Sequence, residues 1–327
     1  MKIVTNYFRE LYSAATGGWD RFWFTARAPE TFCLMRIFAG AMLFYTHLVW
    51  SIDFAGFFGP RGRLSAGFVQ GLHTASGDAH GFAWSHLLWF ESLGILWVIH
   101  SLALVVLLLF TVGFACRATS VLAFLIAVSY VHRANGALFG LDQINVFLAM
   151  YLMLGPSGEC FSVDRWLRSR ASRSRGGHAR LPVRSFVSTN VATRLMQIHL
   201  CVVYFFAGAG KLAGETWWNG EALWGAFANL EYQTIDMTWI AGSLVLVNFL
   251  SQFSVAWELT YCVFVWNRLL RPIVVGLAIP LHLGIAFCMG MITFGLIMLV
   301  ANMAFVSPEL IRIGCSQGRV GSAMVER

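Results

Sequence analysis

The feature that most constrains this chain is a set of long apolar segments without charged side chains. Residues 92–116, SLGILWVIHSLALVVLLLFTVGFAC, contain no Asp, Glu, Lys or Arg over 25 positions. The hydrocarbon core of a bilayer is about 30 Å thick, so a helix needs about 20 apolar residues to cross it. Hydrophobic residues make up 58% and charged residues 12% of the chain, too few charges to cover the surface of a water-soluble domain. The sequence therefore predicts an integral membrane protein.

The same length criterion predicts about eight transmembrane helices. They occupy residues 31–51, 92–116, 118–138, 141–155, 193–212, 240–266, 272–289 and 291–306, of which the fourth and the eighth are short. Helices satisfy their backbone polar groups internally, which lipid requires of any segment that crosses it. We therefore predict an all-α, polytopic membrane protein whose transmembrane domain covers residues 31–306.

The distribution of arginine predicts the orientation of these helices. The loop 157–192 contains seven arginines, at positions 165, 168, 170, 173, 175, 180 and 184, whereas the loop 213–239 contains neither Lys nor Arg. Because cytoplasmic loops carry an excess of basic residues, we expect loop 157–192, both termini and a tail over 307–327 to be cytoplasmic. Loops 52–91 and 213–239 then face outwards. The expected location is the cytoplasmic (inner) membrane of the cell, crossed several times.

Two further features of the sequence predict contacts with lipid, and the second of them gives no indication of a nucleic-acid partner. Residues 1–30 place Ile3, Tyr7, Phe8 and Leu11 on one helical face, which is typical of an amphipathic segment lying on the membrane surface. The net charge of +7 fits orientation against anionic lipid and does not indicate a nucleic-acid partner.

Neither the cysteines nor the histidines predict a metal site. The seven cysteines form no CxxC motif and are interpreted as small core residues. His73, His80 and His86 share one outer loop, but no two of them have the i, i+4 spacing of a helical ligand pair. We predict no bound metal.

Ionisable side chains within the predicted spans are candidate functional residues, because their burial in lipid costs several kcal/mol. The short list of candidates is Arg36, His47, His100, His199, Lys211, Glu258 and His282. Arg36 and Glu258 lie at comparable distances from the inner ends of their spans, which predicts a structural ion pair between them. His100 and His199 are interpreted as hydrogen-bonded core histidines.

Lys211 ends the fifth span in the outer half of the predicted bundle. Tyr204, Gly208 and Lys211 fall on one helical stripe, since offsets of three and seven residues return to nearly the same angle. This stripe is expected to line a cavity with His47 and His282. The alternative is a structural role in which Lys211 extends to the outer headgroups beside Trp217 and Trp218.

The segment around Lys211 resembles a known family. The segment YFFAGAGKLAGETWWNGEAL resembles the signature of the HTTM proteins, the membrane domain of the vitamin K-dependent gamma-carboxylases and their bacterial relatives. Other matching segments are RIFAGAMLFYTHL, FSVDRW, FSVAWELTYCVFVWNRLLRP and PLHLGIAFCMGMITFGLIML. Together they cover most of the chain from Arg36 to Phe305.

The resemblance implies an enzymatic function. In the carboxylases the lysine matching Lys211 is the base that deprotonates reduced vitamin K, which reacts with oxygen; a glutamate then loses its γ-proton and takes up CO₂. An amine that is shielded from water loses its preference for the charged form and can act as this base. Arginine cannot, because it stays protonated. The implied cofactor is a lipid quinol such as reduced menaquinone, with Lys211 and His282 as catalytic residues. The cofactor-binding residues would be Tyr204, Gly208, His47, Trp217 and Asn135.

Departures from the family pattern leave alternatives open. Animal carboxylases have two adjacent lysines at the signature, whereas Gly210 precedes a single Lys211 here. Their histidine before the fourth span corresponds to Asn135. The substrate is expected to be a secreted peptide or a small carboxylate. The alternative is a non-catalytic membrane partner, encoded beside a secreted peptide and serving its maturation, export or immunity. A transporter is not favoured, because no inverted repeat is found.

Overall fold

The computed structural model describes residues 2–75, 84–175, 182–231 and 233–314. Parts of loops 52–91 and 157–192, including His80 and Arg180, and most of the tail 307–327 lie outside the described residues. The longer helices are α1 (Lys2–Phe24), α2 (Glu30–Trp50), α5 (Leu93–Val112), α6 (Cys116–Arg133), α7 (Gly140–Leu154), α8 (Val163–Ser174), α9 (Val187–Leu212), α12 (Leu244–Phe264), α13 (Arg271–Cys288) and α14 (Ile292–Asn302). The shorter ones are α3 (Phe54–Phe58), α4 (Ala66–Ala75), α10 (Glu215–Trp218) and α11 (Ala222–Phe227). Within the described ranges the fold has no β-sheet, and Arg27 and Phe186 form one isolated bridge.

Helices occupy all eight positions at which the sequence predicts spans, so the all-α prediction is confirmed. Among the described residues, four helical segments are long and apolar enough to cross a bilayer: Glu30–Phe58, Leu93–Val112, Val187–Leu212 and Arg271–Cys288. A fifth would be Ile292–Phe305 together with Pro308–Gly314, which are bent by 108°. The chain is thus a helical membrane protein. Eight crossings and cytoplasmic termini remain predictions.

The bundle consists of two groups of packed helices. In the first group α2 packs against α5 and α6 against α7; in the second, α9 packs against α12 and α13 against α14. Helices α7 and α14 join the groups, since α7 contacts α2, α9 and α14. Buried apolar residues of both groups form one continuous core, which includes Leu148 of α7 and Leu200 of α9. Polar side chains buried in this core need partners from neighbouring helices.

Helix α1 is attached to the bundle near its last residues. Asn190 of α9 donates two hydrogen bonds from its amide to the carbonyl oxygens of Phe22 and Trp23, at 2.7 and 2.9 Å. The Arg194 guanidinium lies 4.4 Å from the centre of the Phe22 ring. Tyr7 and Phe8 on α1 are exposed, as expected of a segment that contacts lipid, although its position in a membrane stays a prediction.

Candidate functional site

Lys211 in the last turn of α9 forms an ion pair with Glu258 of α12. Lys211 Nζ donates to Glu258 Oε1 at 2.7 Å and to Oε2 at 2.6 Å. The lysine side chain is 24% exposed and that of the glutamate 10%. Lys211 Nζ also lies 5.3 Å from the centre of the Trp217 ring, at which distance the cation interacts favourably with the ring face. The lysine is therefore held at the edge of the bundle by a carboxylate and an indole.

The predicted ion pair between Arg36 and Glu258 is wrong, because Lys211 takes the carboxylate. Helices α9 and α12 are antiparallel, since Lys211 meets Glu258 whereas Tyr204 meets Tyr261. Cα–Cβ bonds tilt towards the N-terminus of a helix. The Lys211 side chain therefore points towards the N-terminus of α9 and the Glu258 side chain towards the N-terminus of α12. Because the two helices are antiparallel, these directions are opposite, and the two side chains converge. Counting residues from the helix ends, as the sequence prediction did, omits these directions.

Arg36 instead stabilises the turn between α5 and α6. It is fully buried and donates from Nη1 to the carbonyl oxygen of Phe110 at 3.1 Å and from Nη2 to that of Phe161 at 2.6 Å. The turn passes through Gly113, which has φ = +78° and where any Cβ would collide with the guanidinium. The Phe110 carbonyl lies in the last turn of α5 and the Phe161 carbonyl lies just before α8, so Arg36 connects the end of α5 to the segment that precedes α8.

Replacing Arg36 by Met is expected to lower the free energy of unfolding by about 2 to 4 kcal/mol, because buried carbonyl groups lose charged donors. Thermal unfolding in detergent, followed by tryptophan fluorescence, measures the effect. Arg63→Met is the control, since Arg63 pairs with Asp53 on the surface and such pairs contribute little. Equal midpoints for the two variants would show that Arg36 has no such role.

The stripe of Tyr204, Gly208 and Lys211 is a helix contact. A Cβ on Gly208 would lie 2.9 Å from Leu259 Cγ and 3.1 Å from Leu259 N, so α12 passes close to the backbone of α9. The ring centres of Tyr204 and Tyr261 are 4.3 Å apart. The expectation that this stripe lines an open cavity is therefore wrong. Small residues in membrane helices commonly allow such close packing.

A buried chain of hydrogen bonds connects α12, α14, α9 and α13. The Tyr261 hydroxyl donates to Asn302 Oδ1 at 2.7 Å, and Asn302 Nδ2 donates to the Tyr204 hydroxyl at 2.7 Å. The Tyr204 hydroxyl lies 2.6 Å from His282 Nε2. The four side chains are nearly inaccessible to solvent. We call Tyr204, Tyr261, His282 and Asn302 the tyrosine–histidine network.

The donors and acceptors of the network can be assigned in order, and this assignment leaves the Nδ1–H of His282 as a donor without a partner among the described residues. Because the Tyr204 oxygen accepts from Asn302, its proton is available for His282 Nε2. A neutral imidazole that accepts at Nε2 carries its proton on Nδ1. His282 Nδ1 is buried and has no hydrogen-bond partner among the described residues. Lys211 and Tyr204 both belong to α9, and Glu258 and Tyr261 both belong to α12, so the ion pair and the network form one polar region.

An apolar crevice reaches this polar region from the surface of the bundle. Its volume is ≈ 820 Å³, and it lies between α2, α13 and α14. Phe38, Ile279 and Leu296 are among the apolar side chains that line it, and Asn302 of the tyrosine–histidine network forms part of its wall. Phe38, Ile279 and Leu296 are also partly exposed on the outside of the bundle. The crevice is therefore open to apolar molecules in the surrounding lipid.

His47 belongs to a separate cluster in the first group of helices. His100 Nδ1 lies 2.6 Å from the Tyr130 hydroxyl and its Nε2 2.8 Å from Ser51 Oγ. The rings of His47 and Tyr130 are 4.4 Å apart. His100 is a hydrogen-bonded core histidine, as predicted. His47 contacts Tyr130 and the Leu43 carbonyl oxygen in this first group of helices. His282 belongs to the second group.

Asn135 follows α6 and lies beside a histidine of α4. Its Nδ2 is 3.4 Å from His73 Nδ1, and His73 Nε2 is 3.0 Å from the carbonyl oxygen of His132. These contacts join the outer segment containing α4 to the end of α6. Among the described residues no group of three His, Cys, Asp or Glu side chains could hold a metal ion.

Sequence reasoning missed three partners in this polar region. Glu258 was assigned to Arg36, and Tyr261 and Asn302 were not singled out at all. Glu258 and Tyr261 are three residues apart on one helical face, which was a usable signal once Lys211 was placed opposite. Asn302 stands alone in an apolar segment, and a polar residue at such a position commonly has a partner on another helix.

The fold and the site define a helical membrane protein with a buried polar region beside a lipid-facing crevice. A family model described as the HTTM domain matches residues 72–310, and the chain belongs to this carboxylase-like family of membrane proteins. The match includes Lys211, Glu258 and the whole tyrosine–histidine network. No curated protein and no solved structure shows a significant match.

Proposed function

We propose that this protein is a membrane enzyme in which Lys211 acts as a base on a lipid quinol. The observation that carries the proposal is a buried polar region, formed by the ion pair and the tyrosine–histidine network, that meets the wall of an apolar crevice through Asn302. The substrate modified by the reaction would be a secreted peptide or a small carboxylate. The site would lie towards the outer side of the cytoplasmic membrane.

The residues present fit an apolar ring and its hydrocarbon chain. The crevice has ≈ 820 Å³ of space and apolar walls, as sites for lipid-soluble ligands usually do. Asn302 would be the polar group nearest to the bound ring. When bound, a reduced quinone would supply two electrons and both hydroxyl protons on oxidation to the quinone and two further electrons from the ring double bond that is epoxidised, which together convert dioxygen into one epoxide oxygen and one water.

Lys211 can accept a proton only when it is a neutral amine. Its bonds of 2.7 and 2.6 Å to Glu258 provide a direct path for the ammonium proton to reach the carboxylate. Surroundings of low dielectric constant disfavour charged forms of both groups, which brings the neutral pair closer in free energy to the ion pair. In the neutral pair, Lys211 can take a proton from a hydroxyl group while Glu258 keeps its own.

His282 would stabilise the oxygen from which the proton has been removed. Its buried Nδ1–H has no partner within the described part of the chain, and Tyr204 fixes the ring through Nε2. A preorganised donor in a site that excludes water stabilises developing negative charge more strongly than water does. Tyr204 is thus a positioning residue in this proposal.

The experiment that tests this proposal exchanges the charged residues Lys211 and Glu258. The Lys211→Glu/Glu258→Lys variant and the unchanged protein are reconstituted in nanodiscs with reduced menaquinone in air, and menaquinone epoxide is quantified by mass spectrometry. We expect the variant to fold, because an ion pair is kept, and to lose epoxide formation by at least about 100-fold, the usual contribution of a general base. Full activity of the variant, or no epoxide from the unchanged protein, would contradict the proposal.

The second candidate function is a non-catalytic membrane partner for a secreted peptide. One observation favours it: Lys211 already has a carboxylate partner, which suffices to explain a lysine at this position as a structural residue. This candidate predicts that the charge exchange preserves the phenotype. It also predicts that the protein copurifies stably with a neighbouring gene product and without a quinone.

A further inference from the structure

A small cavity in the first group of helices contains two buried polar atoms without partners. The cavity has a volume of ≈ 20 Å³, and its lining includes Thr46, His47, Tyr130 and Asn145. His47 is 4% exposed and Asn145 2%. Neither His47 Nε2 nor Asn145 Oδ1 has a hydrogen-bond partner in the part of the chain that the structure describes. Buried polar atoms without partners are uncommon and require an explanation.

Both of these atoms are acceptors. His47 Nδ1 lies 2.8 Å from the carbonyl oxygen of Leu43, which can only accept, so Nδ1 carries the proton. The neutral ring then has a lone pair at Nε2. Asn145 of α7 lines the same cavity, and its Oδ1 is a carbonyl oxygen, which can only accept. The matching occupant is a hydroxyl group or another small hydrogen-bond donor.

The hydroxyl groups of Tyr130 and Thr46, which also line the cavity, are already paired. The Tyr130 hydroxyl lies 2.6 Å from His100 Nδ1, and the Thr46 hydroxyl donates to the Leu43 carbonyl at 3.0 Å. No second donor from these groups therefore serves His47 Nε2 or Asn145 Oδ1. A space of this volume holds about one water molecule or one hydroxyl group, and an aromatic ring would not fit.

The cavity borders larger apolar spaces, because it shares wall residues with them. It shares Thr46, Trp50 and Asp142 with a crevice of ≈ 480 Å³, which we call the rim crevice. The rim crevice in turn shares Tyr45 and Thr293 with the apolar crevice between α2, α13 and α14. An apolar molecule in the rim crevice would thus contact Thr46 and Trp50, which also line the cavity of the two acceptors.

We propose that the His47–Asn145 cavity binds the hydroxyl group of a lipid-soluble alcohol or phenol whose apolar body lies in the rim crevice. Because both free atoms accept, the site favours hydroxyl compounds over ethers and ketones of the same shape. A reduced quinone is one member of this class, but the inference does not rest on the proposed reaction. It holds equally if Lys211 is purely structural.

The test compares 4-decylphenol with 4-decylanisole, which differ by replacement of the hydroxyl proton with a methyl group. Each is equilibrated with protein in immobilised nanodiscs and with empty nanodiscs, and the excess retained is measured by mass spectrometry. We expect saturable retention of the phenol and at least tenfold weaker retention of the ether. A hydroxyl group has one proton and donates to one acceptor at a time, so at least one of His47→Phe and Asn145→Leu is expected to weaken phenol binding about tenfold, as loss of a buried hydrogen bond does.

Asn248→Leu is the matched control, because Asn248 of α12 bonds to the Asn219 carbonyl on the protein surface. It should leave phenol binding unchanged, and each variant is accepted only if its unfolding temperature stays close to that of the original protein. Equal retention of phenol and ether, or unchanged binding in folded His47→Phe and Asn145→Leu, overturns the proposal. If neither probe is retained and cryo-electron microscopy shows an isolated water between the two acceptors, water alone is the occupant and the proposal is also overturned.

Discussion

Replacing Lys211 alone by Met is expected to lower the free energy of unfolding by about 3 to 5 kcal/mol, because the largely buried Glu258 carboxylate would lose its partner. Glu258→Met should have a similar effect. The double variant Lys211→Met/Glu258→Met should recover most of the stability, since two apolar side chains of similar size replace two charges. Unfolding in detergent, followed by tryptophan fluorescence, gives the three values.

The double variant also separates stability from catalysis. It should fold and yet form no quinone epoxide, because it has no amine at position 211. The prediction would be refuted by single variants as stable as the original protein, since an ion pair with Nζ 2.6 Å from a buried oxygen must then be absent. A folded double variant with undiminished activity would contradict the enzymatic proposal alone.

Substituting Leu for Gly208 is expected to lower the free energy of unfolding by about 3 kcal/mol, at the upper end of what overpacking costs. Even a Cβ at this position approaches Leu259 to 2.9 Å, and a longer side chain must push α9 and α12 apart. The Lys211–Glu258 ion pair spans the same two helices and should break. Reduced stability together with lost epoxide formation is the expected result.

Gly210 provides the control for this experiment in the same helix. A Cβ at Gly210 has no atom within 4 Å among its non-local neighbours, so Gly210→Leu should be tolerated. It should even gain up to about 1 kcal/mol, because leucine favours the helix more than glycine does. If both substitutions had equal effects, helix propensity and not the contact with Leu259 would explain them.

The sequence predicted the helices well because their signal is local. Length and apolar composition suffice to place a helix at each of the eight positions, and family resemblance through Lys211 led to the HTTM family. Pairing between helices is different, because it depends on which faces meet. Glu258 was matched to Arg36 by depth, but side-chain direction and the close approach at Gly208 decide in favour of Lys211.

The two histidine clusters show the same difference. His47 and His282 were placed together because both lie in the outer half of predicted spans. In the structure His47 packs beside Tyr130 in the first group of helices, whereas His282 bonds to Tyr204 in the second. Neither the order of spans around a bundle nor the rotation of each helix about its axis can be obtained from hydropathy alone.

Helix α9 connects the attachment site of α1 to the ion pair of Lys211. Its 26 residues extend over about 39 Å, with the amphipathic helix α1 fastened near one end through Asn190 and the ion pair of Lys211 at the other. A tilt of about 5° imposed at the α1 end would displace Lys211 by about 3 Å over this length. That displacement is comparable to the length of its bonds to Glu258, so the attachment at Asn190 and the packing of α9 against α12 must fix the direction of the helix closely for the ion pair to form.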